Sequence, residues 1–418
     1  MKNLARNGVI GIVTAVLLLS LVVIGCAPEV APKPPEVVKP DVVNIVHIED
    51  FSGAYAATAV NIDVAADVGA EYVNEHGGID GVPIKVTSID FGGEIERGLS
   101  AYERAKMMEP RPLIFVHWYS ALGEALHDLY VEDGFTCFTS TAPATIYPLG
   151  NSFGTMPLYA ESFCGFCDWL AEKWQKEGNE LPVRLGVITW DTAFGRGFIT
   201  KESYAYAEEH GIEIVAEEFY KLTDVDVTTH LIRLRETGVD WLYNLTVSIG
   251  PVPVLKGLVE LGWDVPLGTA TGCDWSVVRQ VPLEYSEGIY MYMFITSWDE
   301  EDHPGIQYMK KKFAEKDPDY WDKITFVQVN TVSEQMYYAY IIGEAVKEVG
   351  WENLSAEAIK KQIVSTKDWW DPLKLVPYSF SPERYTPKMM RMTQVRNGKF
   401  IPITDWFPTH QIVPAELL

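Results

Sequence analysis

Residues 74–90 read NEHGGIDGVPIKVTSID, and this stretch decides the fold. Gly77, Gly78 and Gly81 tolerate positive φ angles, so the chain can turn sharply here. After the turn, residues 82–90 predict a strand; before it, residues 42–46 predict a buried strand, followed by a loop and a helix that runs to Asn74. The order strand, helix, turn, strand predicts a βαβ unit with two parallel strands.

The same alternation continues along most of the chain, with a break at residues 151–161. Further helices are predicted at residues 95–108, 121–133, 163–176, 197–210, 227–236 and 252–261, and further strands at residues 112–116, 135–139, 184–189, 213–217, 240–245 and 266–269. Two such series predict an α/β fold with two doubly wound parallel-sheet lobes. The remaining third is less regular: it predicts a strand at 288–295, helices at 331–350 and 356–365, and extended segments at 378–401 around an Asn397-Gly398 hairpin turn.

The N-terminus has the features of an export signal. Lys2 and Arg6 precede an apolar run at residues 9–24, and Val23-Ile24-Gly25-Cys26 resembles the lipobox of bacterial lipoproteins. This resemblance implies a signal peptide at residues 1–25 and a lipid on Cys26; the alternative is an uncleaved anchor helix. Residues 26–41 are rich in proline, which predicts an extended tether, so we expect an extracytoplasmic protein anchored to the bacterial cell membrane by its lipid.

Charge and cysteine content exclude several classes of protein. The chain has 34 basic and 58 acidic residues, a net charge of −24, which disfavours nucleic acid and polyanionic surfaces as partners. Cys164-Gly-Phe-Cys167 has the spacing of redox and zinc motifs, yet no second pair or histidine cluster accompanies it. We interpret these cysteines as buried apolar residues and expect no metal and no cofactor.

Enzyme motifs are absent from the sequence. His117, Ser120 and Asp191 could be imagined as a hydrolase triad, but the Gly-x-Ser-x-Gly pattern that exposes such a nucleophile does not occur. Gly195-Arg196-Gly197 opens a predicted helix, but Thr200 occupies the position of the third glycine in a dinucleotide-binding motif. We therefore expect a protein that is not an enzyme.

The stretch at residues 74–84, with Asp90 at the end of the next strand, resembles the signature of type I periplasmic solute-binding proteins. The nearest subgroup is the branched-chain amino acid and amide receptors of ABC importers, and Ser52-Gly53, Phe194-Gly195 and Glu287-Gly288 match it as well. The resemblance implies one lobe at residues 42–156 plus 293–370, a second at 157–292 plus 371–418, and a hinge of three crossovers. It also implies a monomer whose partners are a small solute, a permease and an ATPase.

Residues near the first lobe's strand ends are candidates for binding an anion. Ser120 precedes a helix with apolar spacing, and as an N-cap it would place free amides and the helix dipole beside a ligand. Capping alone is the alternative, whereas the resemblance implies contact with a ligand carboxylate. Thr141 and Ala142 occupy the next such loop, where the family offers an amide and a hydroxyl to the same carboxylate, although loop structure alone also explains them.

The amine side departs from the family pattern. Thr271 stands where amino-acid receptors carry an acidic residue, and a buried ammonium needs a compensating charge. Asp274 or Asp191 could substitute only if its loop turned inward, so an α-amino acid is disfavoured as the ligand.

Aromatic residues crowd the predicted cleft rim, and they suit apolar, planar or cationic solutes. They are Tyr55, Trp118, Tyr119, Tyr147, Trp190, Phe194 and Trp275. The alternative is that half or more of them pack in the core or hinge, while Phe194 aligns with a family aromatic that covers the ligand. We expect Tyr55, Tyr119 and Phe194 in the site.

Together these features predict the substrate-binding lipoprotein of an ABC importer, capturing an amino acid, an amide or a small, aromatic or aliphatic carboxylate between its lobes. The alternative is a tethered sensor that presents its closed form to a separate signalling receptor.

Overall fold

The structure is a computed structural model that describes residues 38–417. The predicted signal peptide, the predicted lipid site at Cys26 and most of the predicted tether lie outside these residues.

The first sheet has five parallel strands in the order β2-β1-β3-β4-β5. They are β1 (Val43–Glu49), β2 (Ile84–Asp90), β3 (Ile114–His117), β4 (Thr136–Thr139) and β5 (Ser152–Gly154). Every residue of β1 is buried, as expected for a central strand of a parallel sheet with helices on both faces.

The second sheet has eight strands, of which seven follow the order β14-β13-β10-β9-β8-β6-β7 while β15 pairs with β13. They are β6 (Val183–Trp190), β7 (Ile212–Tyr220), β8 (Trp241–Asn244), β9 (Leu267–Thr269), β10 (Tyr290–Met293), β13 (Met389–Arg396), β14 (Lys399–Pro402) and β15 (Phe407–Pro408). The strands β6 to β10 are parallel, and β13 joins them antiparallel to β10. A separate antiparallel pair consists of β11 (Trp369–Trp370) and β12 (Pro377–Tyr378).

Helices cover both sheets. In chain order they are α1 (Ala56–Ala59), α2 (Ile62–Glu75), α3 (Ile95–Ala105), α4 (Ser120–Glu132), α5 (Pro143–Ile146), α6 (Tyr159–Lys176), α7 (Ala193–Arg196), α8 (Lys201–Glu209), α9 (Thr228–Glu236), α10 (Pro251–Glu260), α11 (Trp275–Val278), α12 (Leu283–Ser286), α13 (Pro304–Lys316), α14 (Phe326–Val349) and α15 (Ala356–Ser365). The long helix α14 packs along α2, which belongs to the first βαβ unit. Within residues 38–417, no helix combines the length and apolar character of a membrane span.

The predicted α/β fold with two parallel-sheet lobes is confirmed. Gly77, Gly78 and Gly81 all have positive φ, and a Cβ on Gly78 would lie 2.3 Å from the Val82 carbonyl oxygen, so this turn requires glycine there. The hairpin turn is also present, with φ of 53° at Asn397 and 73° at Gly398 between β13 and β14. The strand β5 and the helix α13 were missing from the sequence prediction.

The chain passes between the two sheets three times: from β5 to α6, from β10 to α13, and from the β11-β12 pair to β13. These crossovers place the carboxyl ends of strands from both sheets around one space, where parallel α/β sheets bind ligands. We call the bodies built on the five-stranded and eight-stranded sheets lobe 1 and lobe 2.

The cysteines of the Cys-x-x-Cys motif lie inside α6. Cys164 and Cys167 are buried and not disulfide-bonded, and burial raises the pKa of both thiols. Cys137 and Cys273 are buried free thiols as well. This agrees with their interpretation as packing residues, since thiols that stay protonated react poorly.

Candidate functional site

A cavity of about 230 Å³ lies between the strand-end loops of the two lobes. Lobe 1 contributes the segments after β1 and β3 and the start of α14, while lobe 2 contributes the segments after β6 to β9 together with β10. The lining residues are Ala54, Tyr55, Thr58, Trp118, Tyr119, Ser120, Ala121, Met156, Tyr159, Thr192, Ala193, Phe194, Leu222, Leu245, Val247, Ala270, Thr271, Gly272, Tyr292, Phe294 and Phe326. Of the predicted site residues, it brings together Tyr55, Tyr119, Ser120, Phe194 and Thr271.

The lining is uncharged. As far as residues 38–417 describe it, the wall contains no aspartate, glutamate, lysine, arginine or histidine. A charged group on a solute would therefore have to be stabilised by hydroxyls, amides and helix dipoles or, for a cation, by the faces of aromatic rings.

The polar end of the cavity is the first turn of α4. Ser120 is the first helical residue and Tyr119 is the N-cap, so the predicted N-cap position was wrong by one residue. The first amides of a helix have no carbonyl partner within the helix, and Ser120 and Ala121, which carry two of these amides in α4, line the cavity. The Ser140 hydroxyl donates to Ser120 Oγ at 3.0 Å. This end therefore offers hydrogen-bond donors to an anion or a carbonyl oxygen.

Tyr159 extends the polar end from the first crossover. Burial raises the pKa of its hydroxyl to about 12, while hydrogen bonding with Ser120, Ser140 and Thr141 acts in the opposite direction. A phenol with this pKa stays protonated at neutral pH, so it can donate a hydrogen bond to a solute.

Thr141 and Ala142 are not among the lining residues. Thr141 is fully buried, and its hydroxyl donates to the Pro157 carbonyl at 2.8 Å. Ala142 is the N-cap of the short helix α5 and is 2% exposed. Neither side chain reaches the cavity, so their contacts are structural: Thr141 bonds the Pro157 carbonyl and Ala142 begins α5.

The lobe 2 wall is mainly aliphatic. Leu222, Leu245, Val247 and Ala270 line it. The Thr271 hydroxyl donates to the Tyr292 carbonyl at 2.7 Å, so it does not donate a hydrogen bond to a solute in this arrangement. This wall is suited to a hydrocarbon or an aromatic ring rather than to a cation.

Neither acid that the sequence offered as a substitute lines the cavity. Asp274 is 1% exposed, and its carboxylate accepts hydrogen bonds from the Ser276 amide at 2.9 Å and the Phe326 amide at 2.6 Å. Burial raises the pKa of Asp274 to about 6, although these hydrogen bonds act against the rise. Asp191 pairs with Arg196 at 2.6 Å, and its side chain is 56% exposed. The inward turn required of either loop is absent.

Aromatic rings form a cluster at the cavity mouth. The ring of Tyr55 lies 4.9 Å from Tyr119 and 6.5 Å from Phe194, both edge-on, so the cluster links the two lobes. Trp118 also lines the cavity, whereas Tyr147, Trp190 and Trp275 do not. Three of the seven aromatics therefore lie outside the cavity lining, which is fewer than the half or more that the alternative expected.

The sequence analysis missed four aromatic lining residues, Tyr159, Tyr292, Phe294 and Phe326. They come from the crossovers, from β10 and from the start of α14. No local motif marks them, because their position depends on how distant segments meet.

Two lobes of this kind, three crossovers and a cavity between strand ends define a binding protein of the two-lobe α/β class. Residues 42–399 match the family model described as periplasmic binding protein, and the chain belongs to that family. Its members are extracytoplasmic substrate-binding components of transporters rather than enzymes, so the chain has a general solute-binding role. The resemblance to type I periplasmic binding proteins is thus confirmed.

Solved structures share the fold at low sequence identity. A branched-chain amino acid ABC transporter protein from Thermus thermophilus with bound valine is 18% identical, has a TM-score of 0.77, and covers 89% of this chain and 98% of its own. A fatty acid ABC transporter substrate-binding protein from Thermomonospora curvata is 18% identical with a TM-score of 0.76, covering 92% and 99%. A solute-binding protein from R. palustris in complex with benzoate is 17% identical with a TM-score of 0.69, covering 89% and 98%. No curated protein matches the sequence.

Proposed function

We propose that this protein captures a small, largely apolar solute that carries a carboxylate or carbonyl group but no amine, and delivers it to an ABC importer. The observation that carries this proposal is the uncharged cavity lining. An ammonium group taken out of water costs several kcal/mol unless an acid compensates it, and no acid lines this cavity within residues 38–417.

The two ends of the cavity support one orientation of the solute. The head would accept hydrogen bonds from the first turn of α4 and from Ser120 and Tyr159. The tail would lie against Leu222, Leu245 and Val247, beneath the aromatic cluster. An anion fits the head position because a helix N-terminus favours negative charge without a cationic side chain.

Solutes of this class occur among proteins with the same fold. The relative from Thermomonospora curvata is named for fatty acids, and the R. palustris relative was solved with benzoate. The Thermus thermophilus relative holds valine, so the fold accommodates amino acids as well. The lining of this chain supports the amine-free members of that range.

The remaining features of the proposed function come from the sequence. We infer that residues 42–156 plus 293–370 form one moving unit and 157–292 plus 371–418 the other, with closure by rotation about the crossovers. Lipid on Cys26 would hold the monomer at the outer face of the cell membrane, beside its permease and ATPase partners. Solute contacts to both lobes would favour the closed form, because a ligand shifts the equilibrium only by its differential affinity.

The test compares matched pairs of solutes that differ only in the amine. Leucine is paired with 4-methylpentanoate and phenylalanine with 3-phenylpropanoate, and each is added to the purified protein in thermal-shift and calorimetric titrations. We expect the amine-free member of a pair to bind at least about 10-fold more tightly, a difference of about 1.4 kcal/mol. Equal or tighter binding of the amino acids would refute the proposed solute class.

A further inference from the structure

Asp274 joins the two lobes through a buried hydrogen bond. It follows β9 of lobe 2 and is the N-cap of α11, while its carboxylate Oδ2 accepts the Phe326 amide of lobe 1 at 2.6 Å. Phe326 is the first residue of α14, the helix that packs along α2. Asp274 does not line the cavity, so this bond involves no direct contact with a solute.

The helix α14 cannot satisfy the Phe326 amide from its own cap. Thr325 and Gln328 form a capping box in which Thr325 Oγ1 accepts the Val327 amide at 3.3 Å and Gln328 accepts the Thr325 amide at 2.6 Å. The Phe326 amide has no partner in this capping box, and it lies at the positive end of the dipole of a 24-residue helix. A carboxyl oxygen from the other lobe completes the cap.

The other carboxylate oxygen stays within lobe 2. Asp274 Oδ1 accepts from the Ser276 amide at 2.9 Å and from the Ser276 hydroxyl at 2.6 Å. Of the three hydrogen bonds that this carboxylate accepts, two therefore stay within lobe 2 and one, from the Phe326 amide, comes from lobe 1.

Two further contacts join the lobes near this one. Arg279, the C-cap of α11, donates from Nη2 to the Ile324 carbonyl at 2.7 Å. The two caps of α11 therefore bind the residues on either side of Thr325, since Asp274 accepts from Phe326. The hydroxyls of Thr58 and Ser248 lie 2.6 Å apart, joining the segment after β1 to the segment after β8. Of these contacts, the bond from the Phe326 amide to Asp274 is the buried one, and Phe326 itself lines the cavity.

We propose that Asp274 is a positioning residue for solute capture: it stabilises the closed form by accepting the Phe326 amide and makes no contact with the solute. This inference rests on the proposed capture of a solute between the lobes, but not on which solute is captured. Without an acceptor, closure leaves a helical amide buried and unpaired, so the closed form loses stability while each separate lobe keeps its fold.

The test compares the variants Asp274→Ala and Ser276→Ala with the wild-type protein. Asp274→Ala is expected to weaken binding of every solute by a similar factor, roughly 10- to 100-fold, mainly through faster dissociation. Ser276→Ala also removes a contact of α11 but keeps the bond to Phe326, so its affinity should stay within about 3-fold of wild type. Calorimetry gives the affinities and stopped-flow fluorescence the dissociation rates.

Two results would overturn the proposal. An Asp274→Ala effect confined to amine-bearing solutes would mean that the carboxylate contacts the solute. Equal losses in both variants would mean that the carboxylate acts through its contact with Ser276 within lobe 2 and not through its bond to Phe326.

Hydrogen exchange separates this inference from the proposed function. Amides at the start of α14, at residues 324–328, should gain protection when solute binds to the wild type and fail to gain it in Asp274→Ala. If no solute binds the wild type, the proposed function fails, and the inference is then tested on the free protein. There these amides must exchange faster in Asp274→Ala than in wild type, and equal rates would refute the role of Asp274.

Discussion

The Ser140 hydroxyl donates a hydrogen bond to Ser120 Oγ at 3.0 Å, so the Ser120 hydroxyl can donate its own hydrogen to another acceptor. Ser120 lines the cavity, whereas Ser140 is fully buried behind it. A chain of hydroxyls strengthens its last donor, because each bond polarises the next. This arrangement makes Ser120 the strongest side-chain candidate for contact with a solute carboxylate.

Replacing Ser120 by alanine should weaken carboxylate binding about 10-fold, corresponding to about 1.4 kcal/mol for one lost hydrogen bond. Ser140→Ala should weaken carboxylate binding less, by about 3-fold, because it removes only the hydrogen bond that orients the Ser120 hydroxyl. Calorimetric titration measures both, and Ser100→Ala, an exposed hydroxyl that bonds the Glu96 carbonyl in α3, is the matched control. Unchanged affinity in Ser120→Ala would remove this residue from the site.

The fold could be predicted from the sequence because its signals are local. Gly77, Gly78 and Gly81 specify the first turn, and Asn397-Gly398 specifies the hairpin by the positive φ that both positions need. The helix α13 was missed, although Pro304 stands at its first position. Its N-cap is His303, which makes no side-chain capping bond, so no capping residue marks the start of the helix in the sequence.

The site could be predicted only in part. Tyr55, Tyr119, Ser120, Phe194 and Thr271 follow strands, and strand ends are where an α/β fold binds ligands. The partner of Asp274 is the Phe326 amide, which is distant in sequence and comes close only through the tertiary fold. The sequence alone therefore could not show that Asp274 bonds this amide instead of lining the cavity. The residues contributed by the crossovers stayed hidden for the same reason.

An acid placed in the lobe 2 wall should change the preferred solute. Thr271→Asp puts a carboxylate at a cavity-lining position, so it should raise affinity for leucine relative to 4-methylpentanoate by about 10-fold or more. Thr271→Val is the control, because it also removes the hydroxyl that donates to Tyr292 but adds no charge. Competition titrations with both solutes measure the ratio. An unchanged ratio in Thr271→Asp would mean that the amine of bound leucine lies out of reach of residue 271.

The lipid anchor is a prediction about residues outside the described structure. Cys26→Ser removes the thiol that would carry the lipid, so the protein should appear in the soluble fraction of cells instead of with the membrane. Metabolic labelling with a fatty acid, followed by fractionation, measures this, with Cys137→Ser as a control that leaves Cys26 in place. Continued labelling of the Cys26→Ser variant would contradict the anchor.

The stability of the protein should fall as pH rises, because Glu334 is a buried acid in α14. It is fully buried, and its pKa is raised by that burial to about 8, with hydrogen bonding to Tyr338 acting in the opposite direction. Asn330 donates to its Oε1. The buried carboxyl of Glu49 lies near it, and burial raises that pKa too. The folded protein therefore holds a proton that the unfolded chain releases above its ordinary glutamate pKa.

The sign of the pH effect follows from this difference in bound protons. Between the unfolded pKa and the folded pKa of about 8, the folded state binds more protons, so the free energy of unfolding falls with each unit of pH. Glu334 would contribute up to about 4 kcal/mol of this decline between pH 5 and pH 8. Urea unfolding at pH 5.5, 7 and 8.5 should show a shallower decline in Glu334→Gln than in wild type. Glu344→Gln on the same helix is the control, because its side chain is partly exposed and pairs with Lys347. Parallel pH dependences in wild type and Glu334→Gln would mean that Glu334 is already ionised in the folded protein.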